Sequence, residues 1–227
     1  MPGPSVLAVI KEPWVRWDWV GRHTALILSA LREHVVLTLI AVGVGLLIAA
    51  PLALLVRRWR FMQAPVLSLT GVLYTIPSLA LLALLVPWTG LTRTTAEIAL
   101  VSYTLLILVR NIVAGLDGVP ADVREAAAGM GYSRSSQLLH VELPLAMPVI
   151  VAGIRIAVVT TIGLVTVTAL IGQGGLGRLI NDGLNLGFRT EVVVGSVLSV
   201  LLATVADLTL IAVQRFATPW TRAKARP

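Results

Sequence analysis

Asp117-Gly118-Val119-Pro120-Ala121-Asp122-Val123-Arg124-Glu125-Ala126-Ala127-Ala128-Gly129-Met130-Gly131-Tyr132-Ser133-Arg134-Ser135-Ser136-Gln137-Leu138-Leu139-His140-Val141-Glu142-Leu143-Pro144 separates two long apolar stretches. Asp122 is placed to cap a helix, and Glu125 three residues on completes a capping-box pattern. Val123, Ala126 or Ala127, and Met130 fall on one helical face, and Gly131 is a C-terminal stop. Ser133 is placed to cap a second short helix, which the spacing ends before Pro144. The grammar predicts a helix–turn–helix loop on a membrane surface, with alanines that allow another protein surface to come close. On the residues alone it serves equally as a docking element or as a solvated connector.

Outward from this loop the chain is apolar. Of its 227 residues, 57% are hydrophobic and 13% charged, and the mean hydropathy is +0.90. Soluble domains run at about 45–50% apolar and about 25% charged. The expected class is therefore all-α, a polytopic helical membrane protein. Five apolar stretches read as spans: His34–Val56, Val66–Pro87, Thr95–Leu116, Leu145–Ile171 and Val192–Val213. That count leaves too little chain for an added soluble catalytic domain.

Arg57-Arg58-Trp59-Arg60 faces only Arg93 in the next loop, and the C-terminus is basic. The positive-inside rule then puts loop 117–144 and the C-terminus in the cytoplasm and the N-terminus outside. Residues 1–33 are expected to form a Trp-rich interfacial segment, 34–215 the transmembrane domain, and 216–227 a basic cytoplasmic tail. The Trp14-Val15-Arg16-Trp17-Asp18-Trp19 stretch suits the headgroup region, and Gly21–Leu31 is read as a helix lying on the membrane. Residues 1–10 do not read as a secretory leader. The net charge of +7 is explained by cytoplasmic bias and anionic lipid rather than by nucleic acid. There is no Cys, so thiol chemistry and disulfides are excluded.

The loop also carries a spaced pattern. Glu125-Ala126-Ala127, three residues, Gly131, nine residues, Val141, one residue, Leu143-Pro144 resembles the signature of ABC-importer permeases, with Val in place of Ile. Tyr74-Thr75-Ile76-Pro77-Ser78, Val109-Arg110-Asn111, Ala152-Gly153-Ile154-Arg155 and Ala169-Leu170-Ile171-Gly172-Gln173-Gly174-Gly175-Leu176-Gly177 look like the osmoprotectant permeases for glycine betaine, choline and carnitine. The resemblance covers roughly residues 34–215 and implies a type I, methionine-importer-like permease fold. It implies that the loop is a coupling helix docking on an ATP-hydrolysing subunit. Glu125 would cap its helix and pair with a basic residue there, Ala126 and Ala127 would make close contact, Gly131 would set the bend, Leu143-Pro144 would join the loop to span four, and Val141 would belong to the same ATPase-coupling set. The implied partners are a second permease (the same chain or a paralogue), two cytoplasmic ATPases and an extracytoplasmic binding protein. ATP and Mg would sit on the ATPase and no cofactor in this chain.

Other residues keep two readings each. Gly172–Gly177 lacks the Lys-Ser/Thr of a phosphate loop and reads as a flexible break at the outer end of span four. Thr161, Val165, Thr168 and Gly172 share a face that either lines a solute path or packs helices. Tyr74 and Tyr103 could offer cation–π contacts to a quaternary amine, or pack. Arg155 and Asp207 lie at matching depth, which suits an ion pair; otherwise Arg155 snorkels to the headgroups and Asp207 faces water. His23, His34 and His140 show no ligand spacing, so no metal site is expected, and each is placed at an interface. No catalytic constellation is present. The reading is a bacterial inner-membrane permease importing a compatible solute by alternating access. The rivals are methionine or another amino acid as cargo, an ion-coupled carrier or channel, and a membrane scaffold.

Overall fold

The computed structural model describes residues 13–220, and among these every regular element is helical. A six-residue helix, α1 (Trp17–Arg22), precedes α2 (Thr24–Arg58), which runs unbroken for 35 residues. At about 1.5 Å per residue α2 is about 52 Å long, well beyond the roughly 30 Å hydrocarbon core. The expected boundary at residue 34 thus falls inside one helix. Gly21–Leu31 is not a separate surface helix, because Thr24 to Leu31 are good enough helix formers, unbroken by Pro or Gly, to extend the first span outward. Residues 1–12, and the tail from 221 on, lie outside the described residues.

The second expected span, Val66–Pro87, is two helices, α3 (Gln63–Thr75) and α4 (Ser78–Thr89), bent by 96°. The break follows from Ile76-Pro77. Proline has no N–H to continue the ladder, and its ring pushes the preceding residue out of the helical region. Ile76 accordingly has ψ 127°. α5 (Arg93–Asp117) starts from Thr92, whose side chain accepts from the Thr95 N–H. The loop then forms α6 (Ala121–Gly129) and α7 (Arg134–Gln137). A π turn (Leu138–Glu142) leads without interruption into α8 (Leu143–Val167) and a 3₁₀ turn (Thr168–Ile171). The loop's second helix therefore does not end before Pro144. Proline cannot continue the ladder with an N–H of its own, and the π turn just before it, with the Leu143 N–H bonded to the Leu138 carbonyl, is where the run widens to carry it through. Last come α9 (Leu176–Leu186) and α10 (Arg189–Ala217).

Four segments are long and apolar enough to cross a membrane: α2, α5, the run Arg134–Ile171, and Arg189–Phe216. The bent α3–α4 pair makes a fifth if it counts as one span. The chain is a multi-pass membrane protein. Its core lies where α5 packs against α2 and α8. Leu108, Val109 and Leu116 of α5 bury with Ala49, Ala53 and Val56 of α2 and Ala146, Ile150 and Ala157 of α8. Gly153 of α8 is required by this contact, since a Cβ there would occupy the space of the Asn111 side chain of α5. Two motif stretches, 109–111 and 152–155, meet at that point.

Side-chain contacts sort the turns onto two ends. Arg60 reaches Asp117, and Arg57 reaches Glu142, so the α2–α3 corner and loop 117–144 share one end. At the other end the Arg16 N–H donates to Thr190 Oγ1 at 3.0 Å, Trp19 meets Phe188 edge-on, and the Arg189 guanidinium lies 5.1 Å from the Trp14 ring. α9 packs inside that second end, burying Leu176 and Leu179 with Ala30 of α2.

Candidate functional site

α6 starts two residues earlier than the capping pattern suggests. Pro120, with φ −56°, is the N-cap of α6, and its carbonyl accepts the first helical bond from the Arg124 N–H at 3.3 Å. Asp122 caps nothing. It sits in the first turn, where its charge favours the positive end of the helix dipole. The fixed φ of Pro120 has taken the starting position that Asp122 was expected to hold. The C-terminal end is as read. Gly131 has φ +85°, the Tyr132 N–H bonds the Ala127 carbonyl at 3.2 Å, and the Gly131 N–H bonds the Ala128 carbonyl at 3.0 Å. These are the two bonds of a Schellman turn, and its left-handed position disfavours a residue with a side chain. Ser133 caps α7 by accepting from the Ser136 N–H.

The faces of α6 divide cleanly. Ala127, expected to make close contact with the ATPase, is buried within the subunit because it lies on the inner face of the helix, while Glu125, Ala126, Ala128 and Gly129 are exposed. Met130, which the spacing put on one face with Val123 and Ala126 or Ala127, is 71% exposed, because the chain has already turned out of the helix there. Glu125 makes no ion pair among the described residues. The result is a small, smooth, exposed helix whose two acids, Asp122 and Glu125, are both exposed, flanked by exposed Met130, Tyr132 and Leu139. Val141, Leu143 and Pro144 are half-buried and form the root where the loop joins α8.

Two arginines hold that root to the α2–α3 corner. Arg57 pairs with Glu142, both side chains largely buried, and Gln137 Nε2 donates to the other Glu142 oxygen at 2.8 Å. Arg60 grips Asp117 with both terminal nitrogens, at 2.8 and 3.1 Å. The hydrogen bond to Asp117 raises the Arg60 pKa above its ordinary value.

The residues proposed from sequence for a solute path are dispersed. Tyr103 is buried, and its hydroxyl donates to the Ile76 carbonyl, which the Pro77 break leaves without a helical donor. Tyr74 packs edge-on against Tyr103, with centroids 6.0 Å apart, and is 40% exposed. Only Tyr74 therefore offers a ring face to anything outside the subunit. Thr161 and Thr168 are 1% exposed, and Thr168 Oγ1 bonds the Val165 carbonyl. They pack α8 into the subunit and line no open surface of it. Gly172 is exposed with φ +77° and ends the 3₁₀ turn.

Arg155 and Asp207 are brought together: Arg155 donates to Asp207 Oδ1 from Nε at 2.9 Å and from a terminal nitrogen at 2.8 Å. They line an open groove of about 670 Å³ between α8 and α10, with Thr160 and Thr204 nearby. His34 is not interfacial. It is fully buried on α2, with Nε2 3.0 Å from the Ile162 carbonyl of α8. His140 is exposed on the loop, and His23 stacks on Trp19 at 4.3 Å. The sequence reading missed Arg57, Arg60 and Glu142 as loop contacts, since their acid and base partners lie far apart in the chain.

Comparison with known proteins fits this architecture. Residues 41–223 match the family described as binding-protein-dependent transport system inner membrane component. The chain is 39% identical to the choline transport system permease protein OpuBB of Bacillus subtilis, over 82% of this chain and 86% of that one. It is 37% identical to the glycine betaine/carnitine/choline transport system permease protein OpuCB of the same organism, over the same shares. Against the osmoprotectant import permease protein OsmW of Salmonella typhimurium the identity is 38%, over 82% of this chain and 89% of that one. Among solved structures, the MetNI methionine ABC transporter in an inward-facing conformation superposes with a TM-score of 0.77 at 20% identity, covering 87% of this chain and 98% of that chain. The chain belongs to the family of inner-membrane permease components of binding-protein-dependent ABC transport systems.

Proposed function

We propose that this permease is the translocation subunit of an ATP-driven importer for a quaternary-amine compatible solute such as glycine betaine, choline or carnitine. The observation that carries the cargo class is the 37–39% identity, over four-fifths of the chain, to permeases whose names specify choline, glycine betaine, carnitine and osmoprotectants. The rival cargo, methionine, has only fold likeness behind it.

The mechanism follows from the loop. ATP and Mg act on two partner ATPases. α6 docks on one of them through exposed Ala126 and Ala128, with outward Glu125 meeting a basic residue and Gly131 holding the bend. A second permease, this chain or a paralogue, completes the pathway, and a binding protein delivers solute to the outer end. Closure of the ATPases draws the coupling helices together and reorients the spans, exposing the path to one side at a time. Tyr74, the exposed aromatic at the α3–α4 break, is the residue of this chain placed to offer a ring face to a quaternary ammonium.

Vesicles holding the permease with its cognate ATPase and binding protein should take up radiolabelled choline, glycine betaine or carnitine on adding ATP. Uptake of methionine alone would overturn the cargo. Glu125→Lys should insert normally and abolish uptake, because it sets a positive charge against a basic partner. Full uptake in that variant would remove the docking role.

A further inference from the structure

Both feet of the coupling loop are tied to one short corner of the chain. Asp117, just before the loop, pairs with Arg60, and Glu142, at its far end, pairs with Arg57. Between these arginines lies only the turn from α2 into α3. We propose that the Arg57–Arg60 corner is a clamp that carries displacement of the coupling helix into α2 and the broken α3–α4 pair, with Arg57 and Glu142 as its positioning residues. The clamp rests on the reading of α6 as the ATPase-docking element and adds a route from it to the transport path.

The enclosure of the pair and its hydrogen bonding support the clamp. The Arg57–Glu142 pair is the most enclosed of the ion pairs among the described residues, with side chains 18% and 6% exposed. Charges that are paired and desolvated separate at high cost, so Arg57 must follow wherever Glu142 moves. Gln137 fixes the second carboxylate oxygen and leaves Glu142 no free rotation.

Glu142 is also the last residue of the π turn, Leu138–Glu142. A π turn has a wider ladder than the helix on either side and recurs at functional positions. It is the one irregular joint on the direct path from the loop into α8. The ion pair braces that joint sideways onto α2 at the point where the ladder is weakest.

The corner also leads somewhere. It is followed at once by α3, which ends at the Ile76-Pro77 break beside exposed Tyr74. Around the corner Ala53, Val56, Val66, Leu116 and Ala146 form one buried cluster, so the corner moves as a packed unit. Arg58, between the two clamp arginines, makes no ion pair among the described residues. The run Arg57-Arg58-Trp59-Arg60 thus holds more than a topology signal. The Arg60–Asp117 pair is more exposed, at 59% and 30%, and contributes less.

The test is uptake per ATP hydrolysed by the reconstituted transporter with its ATPase and binding protein. Arg57→Gln and Glu142→Gln should each lower that ratio about fivefold or more, the lower end of a typical coupling between sites. ATP hydrolysis itself should continue. Arg58→Gln, which removes the same charge from the same corner, should leave the ratio unchanged. Arg60→Gln should lower it less than Arg57→Gln. The swapped pair R57E/E142R should recover part of the loss, and Arg57→Lys, which keeps the charge but not the fork, should fall between. Should Arg57→Gln fail to insert, Arg57→Lys and the swap carry the test. A normal ratio in Arg57→Gln and Glu142→Gln, with Glu125→Lys inactive, would overturn the clamp and leave the docking role standing. Parallel loss of uptake and hydrolysis with no recovery in the swap would make the pair a folding element and also overturn it. Full uptake in Glu125→Lys would instead remove the docking role on which the clamp depends.

Discussion

α5 and α10 are both long apolar helices, of 25 and 29 residues, yet 61% of the most apolar stretch of α5 is buried and 0% of that of α10. The exposed helix is the more apolar of the two. In water the order would be reversed. In a bilayer the acyl chains are as apolar as leucine, so hydrophobicity does not decide which helix goes to the centre. Small and hydrogen-bonding residues do. α5 buries Thr95, Ala96, Ala99, Tyr103, Thr104 and Gly115, which let its backbone approach α2, α3–α4 and α8. α10 presents Val197, Val200, Leu201, Val205 and Leu208 outward and packs through its other side, mainly on α8 and α9.

The sharpest way to break this contrast is a matched pair of truncations. Leu108 on α5 is 1% exposed, and Leu201 on α10 is 51% exposed. Leu108→Ala should cost about 2–5 kcal/mol through a cavity that its packed neighbours cannot fill. Leu201→Ala should stay within about 0.5 kcal/mol. Unfolding midpoints of the purified permease in detergent measure both. Equal losses would mean that the outer face of α10 is covered in the purified protein and is not a free surface.

The same physics explains what could be read from the sequence. Apolar length finds spans in a bilayer, so α2, α5, α8 and α10 were legible to within their ends. It does not find breaks or caps. Ile76-Pro77 carried the signal for the bend, but the apolar run on both sides of it outweighed one dipeptide. The α9 helix was missed although Leu176, Leu179, Ile180 and Gly183 fall at helical spacing. It is amphipathic and short, and apolar length is blind to both. Asp122 lost the cap to Pro120 because a proline with preset φ begins a helix as well as an acid does. The path residues were hardest to read. Periodicity put Thr161 and Thr168 on one face, but which neighbour that face meets is a tertiary fact. The exposed positions that a second subunit could share are at Tyr74 and along the Arg155–Asp207 groove instead.

Tyr103 sharpens the contrast from within the buried helix. Its hydroxyl is the donor that satisfies the Ile76 carbonyl at the break. Tyr103→Phe keeps the ring, the packing on Tyr74 and the volume, and removes only that donor. The carbonyl would be left without its partner in a part-buried site, at a cost of about 1–3 kcal/mol. The expected outcome is a lower unfolding midpoint together with faster exchange of the amide protons around residues 76–81, measured by hydrogen exchange. A lower midpoint with unchanged exchange there would show that Pro77 sets the bend unaided.

The smallest effect concerns the ion pair that ties α10 to α8. Arg155 and Asp207 are 27% and 34% exposed in their side chains, between a buried pair and a surface one. Neutralising either alone leaves a charge without its partner in a groove walled mainly by apolar residues, among them Ala152, Ile156, Val159 and Leu208. Neutralising both removes the charges and the need to pair them. Arg155→Gln and Asp207→Asn should therefore each destabilise the permease more than the double variant does, with a coupling energy on the order of 1 kcal/mol. That value is set by the groove: open to water it screens the pair, and filled by lipid or by a second permease it does not. A double-mutant cycle in detergent, repeated in lipid nanodiscs, reads the difference directly. A coupling that grows in the bilayer places the pair against lipid or a neighbouring subunit. One that stays constant places it against water, and makes Asp207 the acid of α10 that faces the aqueous side of the path.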